Sequence, residues 1–229
     1  MTIGIIGAME EEVTSLRESM DVISVKNAVG LDFYMGKLNG VSVVVVRSGI
    51  GKVNAAICAQ VLIDLYAVDS IINVGVAGAI DKSLTIGDIV VSTDAVHHDF
   101  DTSALGDEPG VISRMDVSAF PADEELVNLA KETIESLGYP VFVGRVASGD
   151  VFVADPEVKA KIKNLFSPVC CEMEGAAIAH TCYLNKIPFV IIRAISDNAD
   201  DGGVDYERFF RESALKAASI INKMLEKMN

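Results

Sequence analysis

The chain has too few basic residues to grip a polyanion: 19 Lys and Arg stand against 33 Asp and Glu, a formal charge of −14 over 229 residues. With no Lys/Arg cluster to release phosphate counterions, nucleic acid is excluded as a partner. An anionic membrane surface is equally unfavourable. Six prolines and 18 glycines leave no linker-like stretch. No apolar run approaches the roughly 18 residues of a membrane span. The opening Met1-Thr2-Ile3-Gly4-Ile5-Ile6-Gly7 lacks a basic flank and reads as a strand, not a signal peptide. Cys58, Cys170, Cys171 and Cys182 form no C-x-x-C pair, which points to free buried thiols in a reducing, cytoplasmic compartment. His97, His98 and His180 have no cysteine pair to assist them, so no metal is expected, and no cofactor. A G-x-S-x-G elbow for a serine nucleophile is missing.

What is present is a hydrophobic half: 50% of the residues, enough for a sizeable core without disulfides or metals. Strand-like runs fall at residues 3–6, 33–38, 41–47, 70–74, 88–92, 141–147 and 188–195. Continuous β-branched stretches such as Val43-Val44-Val45-Val46 and Val190-Ile191-Ile192 predict strands buried on both faces under helices. Helical periodicity marks residues 10–20, 52–66, 123–137, 156–165, 173–185 and 205–228. The expected fold is a single α/β domain over residues 1–229, with a mixed, mainly parallel sheet. Residues 99–121 break this rhythm, yet Phe100, Leu105, Ile112 and Phe120 make them too apolar for simple disorder. A lid or a subunit contact is expected there.

Three clusters could carry chemistry. In Gly7-Ala8-Met9-Glu10-Glu11-Glu12-Val13 a strand gives way to a helix with acids in its first turn, which complements the helix dipole. On the helical wheel Met9, Val13, Leu16 and Met20 lie within about 40° of one another, and only Glu12, about 60° from Met9, borders that face. In Arg193-Ala194-Ile195-Ser196-Asp197, the arginine shares one face of an apolar strand with Ile195 and Asp197 and needs a carboxylate or ligand partner. Asp197 ends the strand where open α/β sheets place ligands. In Glu172-Met173-Glu174, acids precede a helix too apolar to be exposed, so they serve its dipole or find a partner such as Arg193. Gly49-Ile50-Gly51-Lys52 only partly matches a phosphate loop. Gly75-Val76-Ala77-Gly78-Ala79, following a strand, marks a place where backbone can approach a ligand closely.

Taken in order, Gly4-Ile5-Ile6-Gly7-Ala8-Met9-Glu10-Glu11-Glu12, Ser48-Gly49-Ile50-Gly51-Lys52-Val53, Ser148-Gly149-Asp150, Glu172-Met173-Glu174 and Arg193-Ala194-Ile195-Ser196-Asp197 resemble the 5′-methylthioadenosine/S-adenosylhomocysteine nucleosidase family of the purine nucleoside phosphorylase/uridine phosphorylase superfamily. The resemblance spans nearly the whole chain. It implies a nucleoside phosphorylase-like, barrel-like sheet flanked by helices, a homodimer, and irreversible hydrolysis of adenine thionucleosides to adenine and the S-substituted ribose. That activity belongs to methionine salvage, with 5′-deoxyadenosine as a further substrate. By motif, Glu12 activates water and Asp197 protonates adenine N7 with support from Ser196. Glu174 holds the ribose hydroxyls, Met173 packs on the sugar, and Arg193 orders the water and the acids. Phe152, Val153 and backbone near Gly78 line the base pocket. Met9 and Ile50 lie near the sugar and its 5′ side, and residues 99–121 help to form the thioalkyl pocket across the dimer.

The chemistry agrees with the residues. N-glycoside cleavage passes through a cationic sugar, and adenine leaves poorly unless its ring is protonated, so one carboxyl must act as acid and another as base. Departures from the family pattern are Val76, where Ser or Thr is expected, and Thr102 and Leu105, in place of Val and Phe. They bear on the sugar and 5′ pockets. Two other readings stay open. A nucleoside phosphorylase would need donors for phosphate, and a non-catalytic nucleoside-binding protein would need no acid–base pair.

Overall fold

The computed structural model describes residues 1–200 and 202–228. Along them run β1 (Thr2–Gly7), α1 (Glu10–Glu18), β2 (Asp21–Ala28), β3 (Leu31–Leu38), β4 (Val41–Arg47), α2 (Lys52–Tyr66), β5 (Ser70–Ala79) and β6 (Ile89–His97). Then come β7 (Ala119–Pro121), α3 (Glu124–Ser136), β8 (Val141–Ser148), α4 (Pro156–Phe166), β9 (Cys170–Glu172), α5 (Gly175–Asn185), β10 (Phe189–Asp197) and α6 (Val204–Met228). All strands join one mixed sheet. β1 runs parallel to β4 and β5, and β5 parallel to β10, while β2, β3 and β4 form an antiparallel edge. β5 also pairs with β9, β9 with β8, β8 with β6, and β6 with β10, so five strands close a barrel-like ring.

Side-chain alternation explains why helices cover both faces. In β4, Val44 and Val46 join the core that includes α2 and α5, while Val43 and Val45 join the core under α1, α3 and α6. β10 divides likewise: Phe189 and Ile191 on the first side, Val190 and Ile192 on the second. A period of two with both sets apolar is what a doubly covered strand requires.

The helices fall where the periodicity places them, α2 to the residue, and the differences concern the strands: β6 runs on to His97, and β9 is a further short strand. β2 carries no apolar alternation and is exposed along most of its length, so its pairing with β3 is an edge hairpin invisible to a hydrophobic pattern. Residues 99–121 are not wholly irregular: Ser103–Leu105 form a short 3-10 helix, and β7 pairs with β6. β5 continues through Gly75-Val76-Ala77-Gly78-Ala79, which lie within the strand and not after it, because ring closure supplies ladder partners on both sides. Finally, a bulge between Ile195 and Asp197 interrupts the alternation expected to keep Asp197 on the face of Arg193. Among the described residues, no helix is long and apolar enough to cross a membrane.

Candidate active site

The ends of β1, β5, β9 and β10 surround a cleft of about 380 Å³. Glu12 and Asp197 both face it and are 3% exposed.

Glu12 is the third residue of α1, so its side chain folds back over the helix start. Oε2 accepts from the N–H groups of Ala8 (2.6 Å) and Met9 (2.9 Å), and Oε1 from the N–H of Val76 (3.1 Å). The helix-start role and the cleft role therefore coincide in one carboxylate. Its neighbours turn outward, as the wheel requires: Glu10 pairs with Arg17, and Glu11 lies 3.8 Å from Arg211. Burial pushes the Glu12 pKa above the usual carboxylate value, against the pull of Arg193 and of the three N–H donors.

Asp197 Oδ2 accepts from the Ser196 hydroxyl (2.8 Å) and Oδ1 from the Ala199 N–H (2.8 Å). Two glycines of β5 make room for the two acids. A Cβ on Gly75 would lie 2.4 Å from Glu12 Oε1, and one on Gly78 would lie 2.8 Å from Asp197 Oδ1. Close approach was legible in the glycine pattern; that carboxylates make the approach was not.

Glu172 and Glu174 divide their tasks. Arg193 Nη2 donates to Glu172 Oε2 (2.5 Å) and to Asn73 Oδ1 (2.5 Å). Glu172 also accepts from the Ser148 hydroxyl and from the N–H groups of Glu174 (3.1 Å) and Gly175. Burial opposes the Glu172 charge, but the Arg193 guanidinium and these donors outweigh it and hold the pKa below the usual value. Glu174 Oε1 accepts from Gly51 N–H (2.7 Å) at the start of α2. Burial, then the negative Glu172, push its pKa up to about 8. The Lys52 N–H donates to Asp150 (2.8 Å). The loop that half-matches a phosphate site thus spends its backbone donors on the chain's own carboxylates.

Arg193 is 2% exposed and stands behind the cleft wall, bonded to Glu172 and Asn73. The remaining expected residues reach the wall. Ser196, Gly78 and Val153 are buried there, Phe152 and Ile50 are half-exposed at its rim, and Met9, Met173 and Glu174 complete it. Residues 99–121 contribute nothing to the cleft of their own chain, and Leu105 is 82% exposed. Two residues escaped the sequence reading. Asn73, 1% exposed in β5, links Arg193 to the Ile6 carbonyl (3.0 Å), and a lone amide in so apolar a strand was its signal. Tyr206, in the first turn of α6, also lines the cleft. Among the described residues, no group of three or more His, Cys, Asp or Glu is placed to hold a metal ion.

The family model described as Phosphorylase superfamily matches residues 2–226. The chain is 43% identical to a 5′-methylthioadenosine/S-adenosylhomocysteine nucleosidase of Staphylococcus saprophyticus over 98% of this chain and 99% of that one. It is 43% identical to its counterpart in Shewanella pealeana, over the full length of both. The fold superposes on the Neisseria meningitidis nucleosidase solved with methylthio-immucillin-A at a TM-score of 0.95, with 38% identity over 99% of each chain. It superposes equally, at 0.95, on a futalosine hydrolase of Helicobacter pylori, with 33% identity over 99% of this chain and 97% of that one.

Proposed function

From a chain that belongs to the phosphorylase superfamily, and within it to the 5′-methylthioadenosine/S-adenosylhomocysteine nucleosidases, we propose hydrolysis of the N-glycosidic bond by Glu12 as base and Asp197 as acid. The enzyme is an N-glycosidic hydrolase acting on adenine nucleosides. The observation that carries the acid–base assignment is that both carboxyls open onto one cleft, each fitted against a strand glycine.

In this reading Asp197 gives its proton to adenine N7 as the C1′–N9 bond breaks, so the base leaves neutral. Glu12 takes a proton from water, whose oxygen bonds to C1′. The products are adenine and the S-substituted ribose. Ionised Glu12 faces the sugar site with a negative charge, which favours the cationic transition state over the neutral substrate. Glu174, with a pKa of about 8, exchanges hydrogen bonds with the ribose hydroxyls, and Met173 packs on the sugar. Arg193 orders the acids from behind. Phe152 and Val153 enclose the base, while Met9 and Ile50 lie toward the 5′ side.

Water as nucleophile is supported by the start of α2, where Glu174 and Asp150 take N–H groups a phosphate would need and Lys52 pairs with Asp99 (2.5 Å). No cofactor enters the scheme. The proposal includes a cytoplasmic homodimer over residues 1–229, serving methionine salvage, with 5′-deoxyadenosine also accepted. The exposed Val53 and Ile57 of α2 and Leu184 of α5 support the dimer, as does the projecting Leu105.

The test is adenine release from methylthioadenosine, adenosylhomocysteine and 5′-deoxyadenosine, with and without phosphate. Hydrolysis gives the free sugar and no ribose 1-phosphate under either condition. Glu12→Gln and Asp197→Asn each lower kcat by about 10²–10⁴-fold, the usual weight of a positioned acid or base. Near-normal turnover by Asp197→Asn overturns the acid assignment. Because the Glu12 pKa is raised, the acidic limb of kcat/KM lies above the ordinary carboxylate range.

A further inference from the structure

Tyr206 holds its hydroxyl in the cleft and donates it to a poor acceptor. The ring packs edge-on against Phe152 (centroids 5.2 Å) and stacks on Phe210 one turn along α6 (5.1 Å). These two contacts fix the ring and aim the hydroxyl at Met9 Sδ, 3.3 Å away. A thioether sulfur is a weak acceptor, so the bond is easily exchanged for a better one. Burial, and after it the negative charge of Glu12 and the other cleft acids, raise the pKa of this phenol, so it remains a donor at physiological pH.

The position of the hydroxyl follows from the site as read above, on which this inference rests. That reading puts the 5′ substituent at Met9 and Ile50, and the Tyr206 hydroxyl, bonded to Met9 Sδ, opens onto the same cleft. Met9 and Ile50 are apolar and offer no side-chain donor. We infer that Tyr206 is a specificity-determining residue whose hydroxyl leaves Met9 for the heteroatom at the substrate's 5′ position, which extends the enzyme's range from 5′-thioethers to 5′-oxygen ethers of adenosine. An ether oxygen buried without a donor loses its hydration uncompensated, whereas a thioether sulfur loses little. A wholly apolar 5′ pocket therefore rejects oxygen, and one with a mobile donor accepts it.

The experiment compares 5′-O-methyladenosine with methylthioadenosine, which differ only in the 5′ atom, on the wild type and on Tyr206→Phe. Phenylalanine keeps both ring contacts, so folding and packing are preserved. Wild type releases adenine from both nucleosides. The variant loses about tenfold in kcat/KM on the ether, mainly through KM, and less than about threefold on the thioether, as expected for one lost donor. Equal losses on the two substrates, no loss on either, or a wild type that cleaves the thioether and not the ether would each overturn the inference while leaving the nucleosidase reading intact. Failure of the wild type on both nucleosides would overturn that reading, and the inference with it.

Discussion

Glu174 illustrates how far one residue can be driven from its solution behaviour. Its pKa moves from 4.5 to about 8 because burial and the neighbouring Glu172 charge both oppose ionisation. Between those values the folded state holds a proton that the unfolded chain has released, so stability falls as pH rises through the window. Glu174→Gln keeps an acceptor for the Gly51 N–H and removes the titration. Thermal unfolding should show the variant gaining over wild type as pH rises from 5 to 9, while adenine release falls by about tenfold or more as the ribose loses its carboxyl partner. A stability difference that is the same at both pH values would contradict the assignment. Glu172 does not share this behaviour, because Arg193 neutralises it.

At the scale of elements, β5 matters more to the cleft than its lack of acids and bases suggests. It supplies the Val76 N–H to Glu12, the Asn73 side chain to Arg193, and glycines where the two carboxyls press on the backbone. Gly75→Ala places a methyl 2.4 Å from Glu12 Oε1, so the carboxylate must move. Displacement of a base by about 1 Å costs on the order of 100-fold in rate. The expected result is a kcat reduced to that extent with KM changed much less, measured by adenine release on a variant checked for native circular dichroism. An unimpaired kcat would mean that the Glu12 position is not set by this strand. The bulge in β10 works in the same direction. It lets Arg193 stay with the buried acids while Asp197, four residues on, lies on the cleft wall.

For the whole molecule, the outward sides of α2 and α5 carry Val53 (69% exposed), Ile57 (44%) and Leu184 (64%), an apolar surface that a second copy can cover. If the dimer also brings residues 99–121 of one chain to the 5′ side of the other, assembly and activity are linked. Ile57→Glu should then sediment as a monomer where wild type sediments as a dimer, and lose activity on methylthioadenosine in proportion to the dimer lost. A wild type that is monomeric and fully active at micromolar concentration would end this account. No comparable effect is expected from a charge added on the exposed edge strand β2, at Ile23 for example, which is 76% exposed and belongs to neither helix.

Much of this was legible in the order of residues, because hydrophobic period and helix phase are local properties. They determine that β4 and β10 are buried on both faces, that α2 runs from Lys52 to Tyr66, and that Glu12 alone among its neighbours turns inward. They also require a partner for Arg193. Tertiary structure alone decided that this partner is Glu172 and not Glu174, that Asn73 shares the guanidinium, and that Tyr206 faces the cleft. It also decided that β2 pairs at the edge and that β5 runs on through its glycines. The contacts of Arg193, the cleft position of Tyr206 and the run of β5 depend on groups far apart in the chain, and the β2 edge on backbone pairing without a buried face; neither leaves a hydrophobic period in the sequence.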